Sequence, residues 1–405
     1  MERAASADLW LDAAAKQFGT PCYVYDLMAI ERRVHHLRRA FGGRFSISFA
    51  VKCNPNRALL EWLSTQIDHL DVSSIGEYRI ALAAGWGPRQ ISFTGPGKRK
   101  AEIAEALSSG LGELVVESLQ EASIASDIAV EQGRRQPILI RLSPQHIPKG
   151  FGDQMAGRPS PFGFDVEDSE EDLRAIMKMP GLEVMGLHIY AGTQCLKIDS
   201  ICDNYRNFIR IFEEVCELHR LSPSKLIFGS GLGIPYHPSD IPLDLEVIGA
   251  ITSVDLDGLQ SKTRFRTTAL HLELGRYLVG EAGYFITQVI ATKQSRGTRI
   301  AICDGGMNSH LAASGHFGMV IQRNYPMHKV GGQGPCEAVN LVGPLCTSID
   351  RLGNAVELPH LEPGDLVAIH SSGAYGPTAS PTRFISHPQP REVLLSSEGL
   401  REVTI

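Results

Sequence analysis

From residue 46 to residue 274 the chain alternates short apolar runs, rich in β-branched residues, with stretches of helical periodicity, and few folds accept that rhythm. The runs fall at 46–51, 69–74, 91–95, 113–117, 138–143, 183–191, 225–229 and 269–274. Among the helical stretches, Leu27, Ile30, Val34 and Leu37 share one face behind Asp26, and 98–107 and 205–218 repeat the pattern, so Asp26 reads as a helix cap. Eight strand–helix units predict an α/β protein built on a closed parallel (β/α)8 barrel of the TIM type. Beyond Gly283 the texture changes to strand-like runs at 284–292, 299–303, 338–342 and 365–370 with turn residues between them, which predicts a mainly β second domain. The expected division is a barrel over 26–282 and a β domain formed by 1–25 together with 283–405. The Gly- and Pro-rich stretch 144–161 reads as a long loop on the barrel's catalytic side.

Composition narrows the function. Hydrophobic residues at 43% and charged residues at 21% are globular values, and no apolar run approaches the ~18 residues of a membrane span. A net charge of −6 offers no basic field for phosphate backbones. A small-molecule enzyme is expected, with neither nucleic acid nor membrane as a partner. Residues 1–16 include acidic side chains and lack the order of a secretory signal, so the cytoplasm is the expected location. The cysteines at 22, 53, 195, 202, 216, 303, 336 and 346 include no C-x-x-C pair, which argues against a zinc ribbon, a redox motif or a disulfide framework. No metal site is expected. Cys216 and Cys303 read as small core residues, and alternation along a strand would turn Cys53 away from Lys52.

Active sites of such barrels collect at the carboxyl ends of the strands. Here those ends carry Lys52, Asp71, Ser73, Arg141, His188, Tyr190, the GSGLG run at 229–233, and Glu273 with Arg276. Lys52 follows an apolar strand, where partial desolvation disfavours the ammonium and leaves an amine able to form a Schiff base; an ordinary lysine snorkelling from a strand end has the same signature. The GSGLG run offers bare backbone N–H groups suited to a phosphate, or it is a flexible turn. Ile234 and Pro235 follow it where a dinucleotide fingerprint would open a helix; barrels often bind phosphate with the loops after strands seven and eight, and Arg276, after the eighth, is placed to pair with it. Glu273 is an awkward buried carboxylate unless it meets a cation or a proton donor such as a protonated pyridine nitrogen. A surface pair with Arg276 is the alternative.

In chain order, FGTPCYVYD at 18–26, AVKCN at 50–54, DVSSIGE at 71–77, GLHIYAGTQ at 186–194, ELGR at 273–276, DGGM at 304–307, GPLC at 343–346 and GAYG at 373–376 resemble the fold type III pyridoxal-phosphate decarboxylases. That family includes diaminopimelate, ornithine and arginine decarboxylases, and the resemblance spans nearly the whole chain. It implies an alanine racemase-like barrel with a C-terminal mainly β domain, pyridoxal 5′-phosphate as cofactor, and release of carbon dioxide and an amine from an amino-acid substrate. It makes Lys52 the cofactor lysine and Glu273 the partner of the pyridine nitrogen. It gives the phosphate to Gly229, Ser230, Gly231, Arg276 and Tyr375, with Thr193 close by, and sets Asp71, Glu77 and Arg141 around the reactive edge of the cofactor. Cys346 is implied as the acid that returns a proton to the substrate carbon. Asp304, Asn308, Thr347 and Asp350 are implied on the substrate side. A homodimer follows, with Cys346 supplied to the partner's site.

Three departures bear on the substrate. Relatives stack a histidine on the cofactor where this chain has Tyr190, while His188 lies two residues earlier on the same strand face. The resemblance sets both at the cofactor and leaves two arrangements open, Tyr190 as the stacking ring with His188 a layer residue below, or His188 itself as the stacking ring. The glutamate that follows the catalytic cysteine in diaminopimelate decarboxylases is Thr347 here. DGGMN at 304–308 runs into SHLAA at 309–313, without the arginine and tyrosine that relatives direct to the distal end of diaminopimelate. The stretches at 276–283, 317–326 and 371–381 resemble a branch in siderophore and other secondary metabolism whose members decarboxylate conjugated or carrier-protein-linked amino acids. The expectation is therefore decarboxylation of an amino acid or conjugate, possible on a carrier, with a free diamino acid as the alternative substrate. A racemase would face the pyridine nitrogen with arginine, and a non-catalytic regulator or a cofactor-free aldolase barrel leaves the joint presence of Lys52, Glu273 and Cys346 unexplained. His310 and His316 lie within reach of Asp304 in sequence, and solvent-facing loop positions are their blander reading.

Overall fold

The structure, a computed structural model, describes residues 2–315 and 323–404, with side chains from residue 7 onward. His316 and the 317–322 part of the branch-specific stretch lie outside the described residues. The chain forms two compact units, Val34–Ile234 with Ile241–Gly275, and Met1–Arg33 with Pro235–Asp240 and Arg276–Ile405.

The first unit is a closed parallel barrel. Its strands, in chain order, are Phe45–Ala50, His69–Val72, Ile91–Phe93, Glu113–Val116, Gln136–Ser143, Leu182–Ile189, Lys225–Gly229 and Ala269–Leu274. Each pairs with its successor, and the eighth closes on the first with Leu270 opposite Phe45 and Leu274 opposite Phe49. The runs are near-continuously apolar because both faces are covered, by barrel interior on one side and helices on the other. Inside, Val115, Leu139 and Ile227 pack together in the layered manner of such barrels. The helices begin where side chains can take up their free N–H groups. The Ser74 hydroxyl caps Ile75–Ala83 by accepting from Glu77 N–H, and the Ser118 hydroxyl caps Leu119–Glu131 by accepting from Glu121 N–H.

Two local departures from the sequence reading affect the site. The first strand ends at Ala50, and Val51–Cys53 forms a 3₁₀ turn, so strand alternation does not decide where Cys53 points. Cys53 is buried against Gly275, where a Cβ would come within 2.7 Å of the cysteine Cβ. The long loop is also more ordered than its composition implies. Asp153–Gln154 forms a short antiparallel pair with Gly192–Thr193, and Phe164–Asp165 adds to the end of the fifth strand.

The second unit is a mainly β sheet in the order Arg351–Pro359, Cys336–Val342, Thr298–Cys303, Gly283–Ser295, Cys22–Asp26, Arg391–Ser396, Gly399–Glu402, with Leu366–Ile369 also paired to Gly283–Ser295. Cys22–Asp26 is central, antiparallel to one neighbour and parallel to the other. The helix Glu2–Phe18, which the sequence reading did not identify, lays Ala7, Leu11 and Ala14 on Cys22, Val24, Ile286, Ala368 and Val393. Arg276–Ala282 groups with this unit because Gly373 seats on it. Gly373 N–H donates to the Gly280 carbonyl, and a Cβ at Gly373 would fall 1.8 Å from the Val279 carbonyl oxygen. Asp26 Oδ1 accepts from Ala29 N–H and starts the helix Leu27–Ala40. No helix among the described residues is long and apolar enough to cross a membrane.

Leu11 is fully buried in the helix-on-sheet core. Leu11→Ala should therefore cost about 2–5 kcal/mol, read as a lower denaturant midpoint for the second unit, whereas Leu9→Ala, on an exposed site, should leave the midpoint within error.

Candidate active site

At the carboxyl end of the barrel, Lys52, Asp71, His188, Tyr190 and Glu273 gather into one electrostatic cluster. Glu273, on the eighth strand, is 2% exposed, and its Oε2 accepts from His188 Nε2 at 3.0 Å. Burial pushes the carboxyl up, but His188, Lys52 and Arg141 outweigh it and leave the group below the usual carboxylate range. Glu273 does not form a surface pair, and His188, fully buried in the barrel as a layer residue would be, is also the hydrogen-bond partner of its buried carboxylate. The other ring nitrogen, His188 Nδ1, is buried with no partner among the described residues.

Asp71 behaves in the opposite way. It accepts from the Ser92 hydroxyl at 3.2 Å and from Thr94, yet burial and the nearby Glu273 charge raise its carboxyl well above the ordinary value. Two carboxyls in one barrel mouth thus shift in opposite directions, Glu273 down and Asp71 up. Lys52 stands on the 3₁₀ turn with Nζ 5.6 Å from the centre of the half-buried Tyr190 ring. Burial would lower its pKa, but interaction with Tyr190, Glu273 and Asp71 prevails and raises it. The expectation of a free amine created by desolvation is corrected: with these neighbours Lys52 is an ammonium. Glu77 Oε2 accepts from Ser73 N–H at 2.7 Å, while Glu77 N–H donates to the Ser74 hydroxyl; burial raises its carboxyl, opposed by the Ser73 hydrogen bond and then by Lys52.

The 229–233 loop is tightly packed rather than flexible. A Cβ on Gly229 would meet Tyr190 Cδ2 at 2.4 Å, and one on Gly231, at φ +67°, would meet Phe151 Cε1 at 2.5 Å. Fewer N–H groups are bare than the sequence implies, because Ser230 N–H donates to the Glu273 carbonyl and Gly233 N–H to the Cys195 carbonyl. Gly231 N–H takes no partner among the described residues. Thr193 sits on the short strand opposite Asp153.

In the second unit Arg276, which follows the eighth strand after Gly275, donates from Nη1 to the Tyr236 hydroxyl at 2.8 Å, and its guanidinium lies 4.8 Å from the Tyr375 ring centre. Tyr236 went unnoticed in the sequence because nothing but proximity to Arg276 distinguishes it. Tyr375 holds φ at +54°, an uncommon conformation for a bulky residue.

Several substrate-side expectations come out differently. Asp304 spends Oδ1 on the Thr287 hydroxyl at 2.7 Å and Gln288 N–H at 2.8 Å, and Oδ2 on the Thr20 hydroxyl. Asp350, 3% exposed, accepts from Met307 N–H at 2.7 Å and Leu345 N–H at 2.8 Å. Both carboxylates tie backbone segments together. Asn308 is buried, with Oδ1 lacking a partner among the described residues. Cys346 is exposed and Thr347 half-buried on the same loop. His310 is neither solvent-facing nor substrate-facing. It is fully buried against Tyr23, Phe285 and Tyr325, bonded to the Ser372 hydroxyl at 2.9 Å, and burial pushes it down to about 3. Cys216 and Cys303 are core thiols, each raised to about 12 by burial above all.

Residues 27–280 match the family described as pyridoxal-dependent decarboxylase, pyridoxal binding domain. The chain belongs to the pyridoxal-dependent decarboxylases. It is 34% identical, over 95% of its length and 90% of the relative's, to the L-glutamyl-[BtrI acyl-carrier protein] decarboxylase of Niallia circulans. It is 33% identical to the diaminopimelate decarboxylase of Methanothermobacter thermautotrophicus, over 94% of this chain and 88% of the other. The crystal structure of Helicobacter pylori diaminopimelate decarboxylase complexed with L-lysine superposes with a TM-score of 0.86 at 29% identity, covering 97% of this chain and 95% of that one. The protein is a pyridoxal-phosphate-dependent carboxy-lyase with an alanine racemase-like fold.

The barrel residues fit that cofactor. A lysine amine, an ionised buried carboxylate, an aromatic ring beside the amine, a bare N–H in a cradle that a Cβ would fill, and the orphaned His188 Nδ1 make a donor set suited to an anionic aromatic aldehyde.

The raised Asp71 carboxyl is a stability statement. A carboxyl whose folded pKa lies above its unfolded value of about 3.9 contributes stability fully below that pH and loses it as pH rises through the folded value. Asp71→Asn should therefore raise the melting temperature of cofactor-free protein near neutral pH, and the gain should shrink as pH falls toward about 4. A gain that persists undiminished in acid would contradict the assignment.

Proposed function

We propose that this protein removes the α-carboxylate from an amino-acid unit carried on a larger group, a glutamyl unit on a carrier protein or a comparable conjugate, in siderophore or other secondary metabolism. The observation that carries the reading is the 34% identity along 95% of the chain to a decarboxylase of carrier-linked L-glutamate. The Thr347 position, where a glutamate would serve a free diamino acid, and the SHLAA stretch at 309–313 point the same way.

When bound, pyridoxal phosphate supplies the electron sink into which the bond to the departing carbon dioxide collapses. Lys52 would hold it through Nζ, with Tyr190 at its ring and the Gly229, Ser230 and Gly231 backbone, with Thr193, at its phosphate. Arg276 and Tyr375 are assigned to the phosphate by resemblance. Glu273, kept ionised by His188, would hold the pyridine nitrogen in its protonated form, and His188 fixes the carboxylate by donating from Nε2. Asp71 and Arg141 border Lys52 and set the charge at its Nζ. Cys346 is the proposed acid for the substrate carbon, a step worth about 10² to 10⁴ in rate. Its exposure, with Ile349, Phe384 and Ile385 also exposed in the same unit, supports a homodimer in which a second copy receives it. Cytoplasmic location belongs to the reading, and the eight free cysteines fit a reducing compartment. Asp304 and Asp350 are no longer proposed as direct substrate ligands.

The second reading is a free diamino acid, favoured by 33% identity to a diaminopimelate decarboxylase and by the lysine-bound structural neighbour. Mass spectrometry after incubation of loaded enzyme with free basic and acidic amino acids, carrier-tethered glutamate and citrate-conjugated diamino acids separates the two. Loss of 44 Da, the mass of carbon dioxide, is expected from a tethered or conjugated substrate alone; loss from a free diamino acid would establish the second reading instead. Lys52→Ala should abolish both the visible band of bound cofactor and turnover, whereas Cys346→Ala should keep the band and slow turnover by roughly 10²-fold or more. An unchanged rate and product would remove Cys346 from the reaction.

A further inference from the structure

Glu117 follows the fourth strand, and its carboxylate joins three separate parts of the barrel mouth. Its side chain is 2% exposed. Oε1 accepts from Gly95 N–H, after the third strand, at 2.6 Å. Oε2 accepts from Arg141 Nη1, on the fifth strand, at 3.0 Å and from Gly163 N–H, at the end of the long loop, at 3.2 Å.

Behind it the charges continue. Glu117 N–H donates to Glu121 Oε2 at 3.2 Å, and Glu121 Oε1 takes Lys98 Nζ at 2.6 Å. Lys98, with a side chain 1% exposed, also donates to the Gly95 carbonyl at 2.6 Å and the Val115 carbonyl at 2.9 Å. Lys98, Glu121, Glu117 and Arg141 therefore form a buried row with two charges of each sign. A buried pair is tolerable only when geometry and further hydrogen bonds satisfy it, and Glu121, Glu117 and Lys98 are so satisfied.

Arg141 is the exception. It is 5% exposed, the Phe162 ring lies 4.7 Å from its guanidinium carbon, and Glu117 is its one hydrogen-bond acceptor among the described residues. A guanidinium carries five N–H donors, and the Nη1 end of this one is held by Glu117. Its charge already acts on Lys52 and on Glu273, lowering both.

We propose that Glu117 is a positioning residue for the cofactor site: it fixes the Arg141 guanidinium beside Lys52, and through Gly163 it couples that guanidinium to the closure of the long loop. This rests on the proposed reading of Lys52 as the cofactor lysine. Phe162 covers Arg141 directly before Gly163, and a Cβ on Gly163, at φ +71°, would lie 2.8 Å from the Arg141 carbonyl oxygen, so the loop end and the arginine cannot move independently. The same loop brings Phe151 onto Gly231. The groups that face Arg141 in this argument are Glu117, Lys52 and Glu273; Asp71, Glu77 and Tyr190 also act on Lys52, directly or through their own charges.

The test uses the pyridoxal-phosphate-loaded protein and needs no substrate. Glu117→Asp keeps the charge but withdraws the carboxylate by one methylene, so Arg141 either follows it or loses it, and its lowering influence at Lys52 weakens. The pH midpoint of the visible cofactor band should move upward, and trypsin should cut faster at Lys149 and Arg158 in the loop. Glu121→Asp, the same shortening one step further along the row, should lower the melting temperature without moving the midpoint. Arg141→Lys should reproduce the upward shift, and the double variant Glu117→Asp/Arg141→Lys should add little to it.

An unchanged midpoint in Glu117→Asp, or an equal shift in Glu121→Asp, would reduce Glu117 to a structural residue and overturn the proposal. Should Glu117→Asp fail to fold, Glu117→Gln is read in the same way, and an unmoved midpoint there overturns the proposal equally. Wild-type protein that takes up pyridoxal phosphate without a Lys52-dependent band would instead overturn the reading of Lys52, a result distinct from either outcome above.

Discussion

The interaction on which the rest of the structure depends is the hydrogen bond between Glu273 and His188 inside the barrel. A carboxylate 2% exposed would cost several kcal/mol if left ionised without a partner, and its natural escape is to take up a proton. His188, reaching from the sixth strand to the eighth, prevents that, with Lys52 and Arg141 adding to its effect. The seventh strand lies between them, pairing Ile227 with His188 and Gly229 with Glu273. Barrel closure thus holds donor and acceptor in place by strand register, and no loop has to find the geometry. On the other side of the first strand, burial and then the Glu273 charge raise the Asp71 carboxyl, so the same buried carboxylate also bears on a second one.

Close packing does for the backbone what this pair does for the charges. Gly229 and Gly231 are glycines because Tyr190 and Phe151 occupy the space a Cβ would need. The ring beside Lys52 and the shape of the 229–233 loop are therefore one constraint.

The barrel was legible because each strand is buried on both faces and must be a continuous apolar run, a pattern that survives without knowledge of tertiary contacts. The β domain was legible for its Gly283–Ser295 and Thr298–Cys303 hairpin, whose period-2 runs flank a turn. The helix Glu2–Phe18 was missed because its buried face is small, Ala7, Leu11 and Ala14, and short apolar side chains at helical spacing make a faint stripe. Lys52 and Glu273 were legible from their positions at strand ends. Their protonation states were not, since those depend on which charges the fold brings within a few ångströms. Alternation does not apply at Cys53 for a local reason: the strand ends at Ala50 and a 3₁₀ turn begins at Val51, two residues before the cysteine.

The least legible distinction was between carboxylates that hold the fold and carboxylates that can take part in chemistry. Asp304 and Asp350 stand in motifs that pointed to the substrate, but their oxygens are taken by Thr287, Gln288 and Thr20 in one case and by Met307 and Leu345 N–H groups in the other. A carboxylate satisfied by backbone donors is fixed in place and has little left to offer a ligand. Asp350 also lies between Gly306 and Gly343, where a Cβ on either glycine would clash with its oxygens, so it joins the Asp304 turn to the loop that carries Cys346. The link is mechanical: by accepting from Met307 and Leu345 N–H, Asp350 fixes where that loop stands. Asn308, four positions beyond Asp304, is the contrasting case among the described residues: it is buried and its Oδ1 has no partner, so it keeps a hydrogen-bonding capacity that the two aspartates have used within the fold.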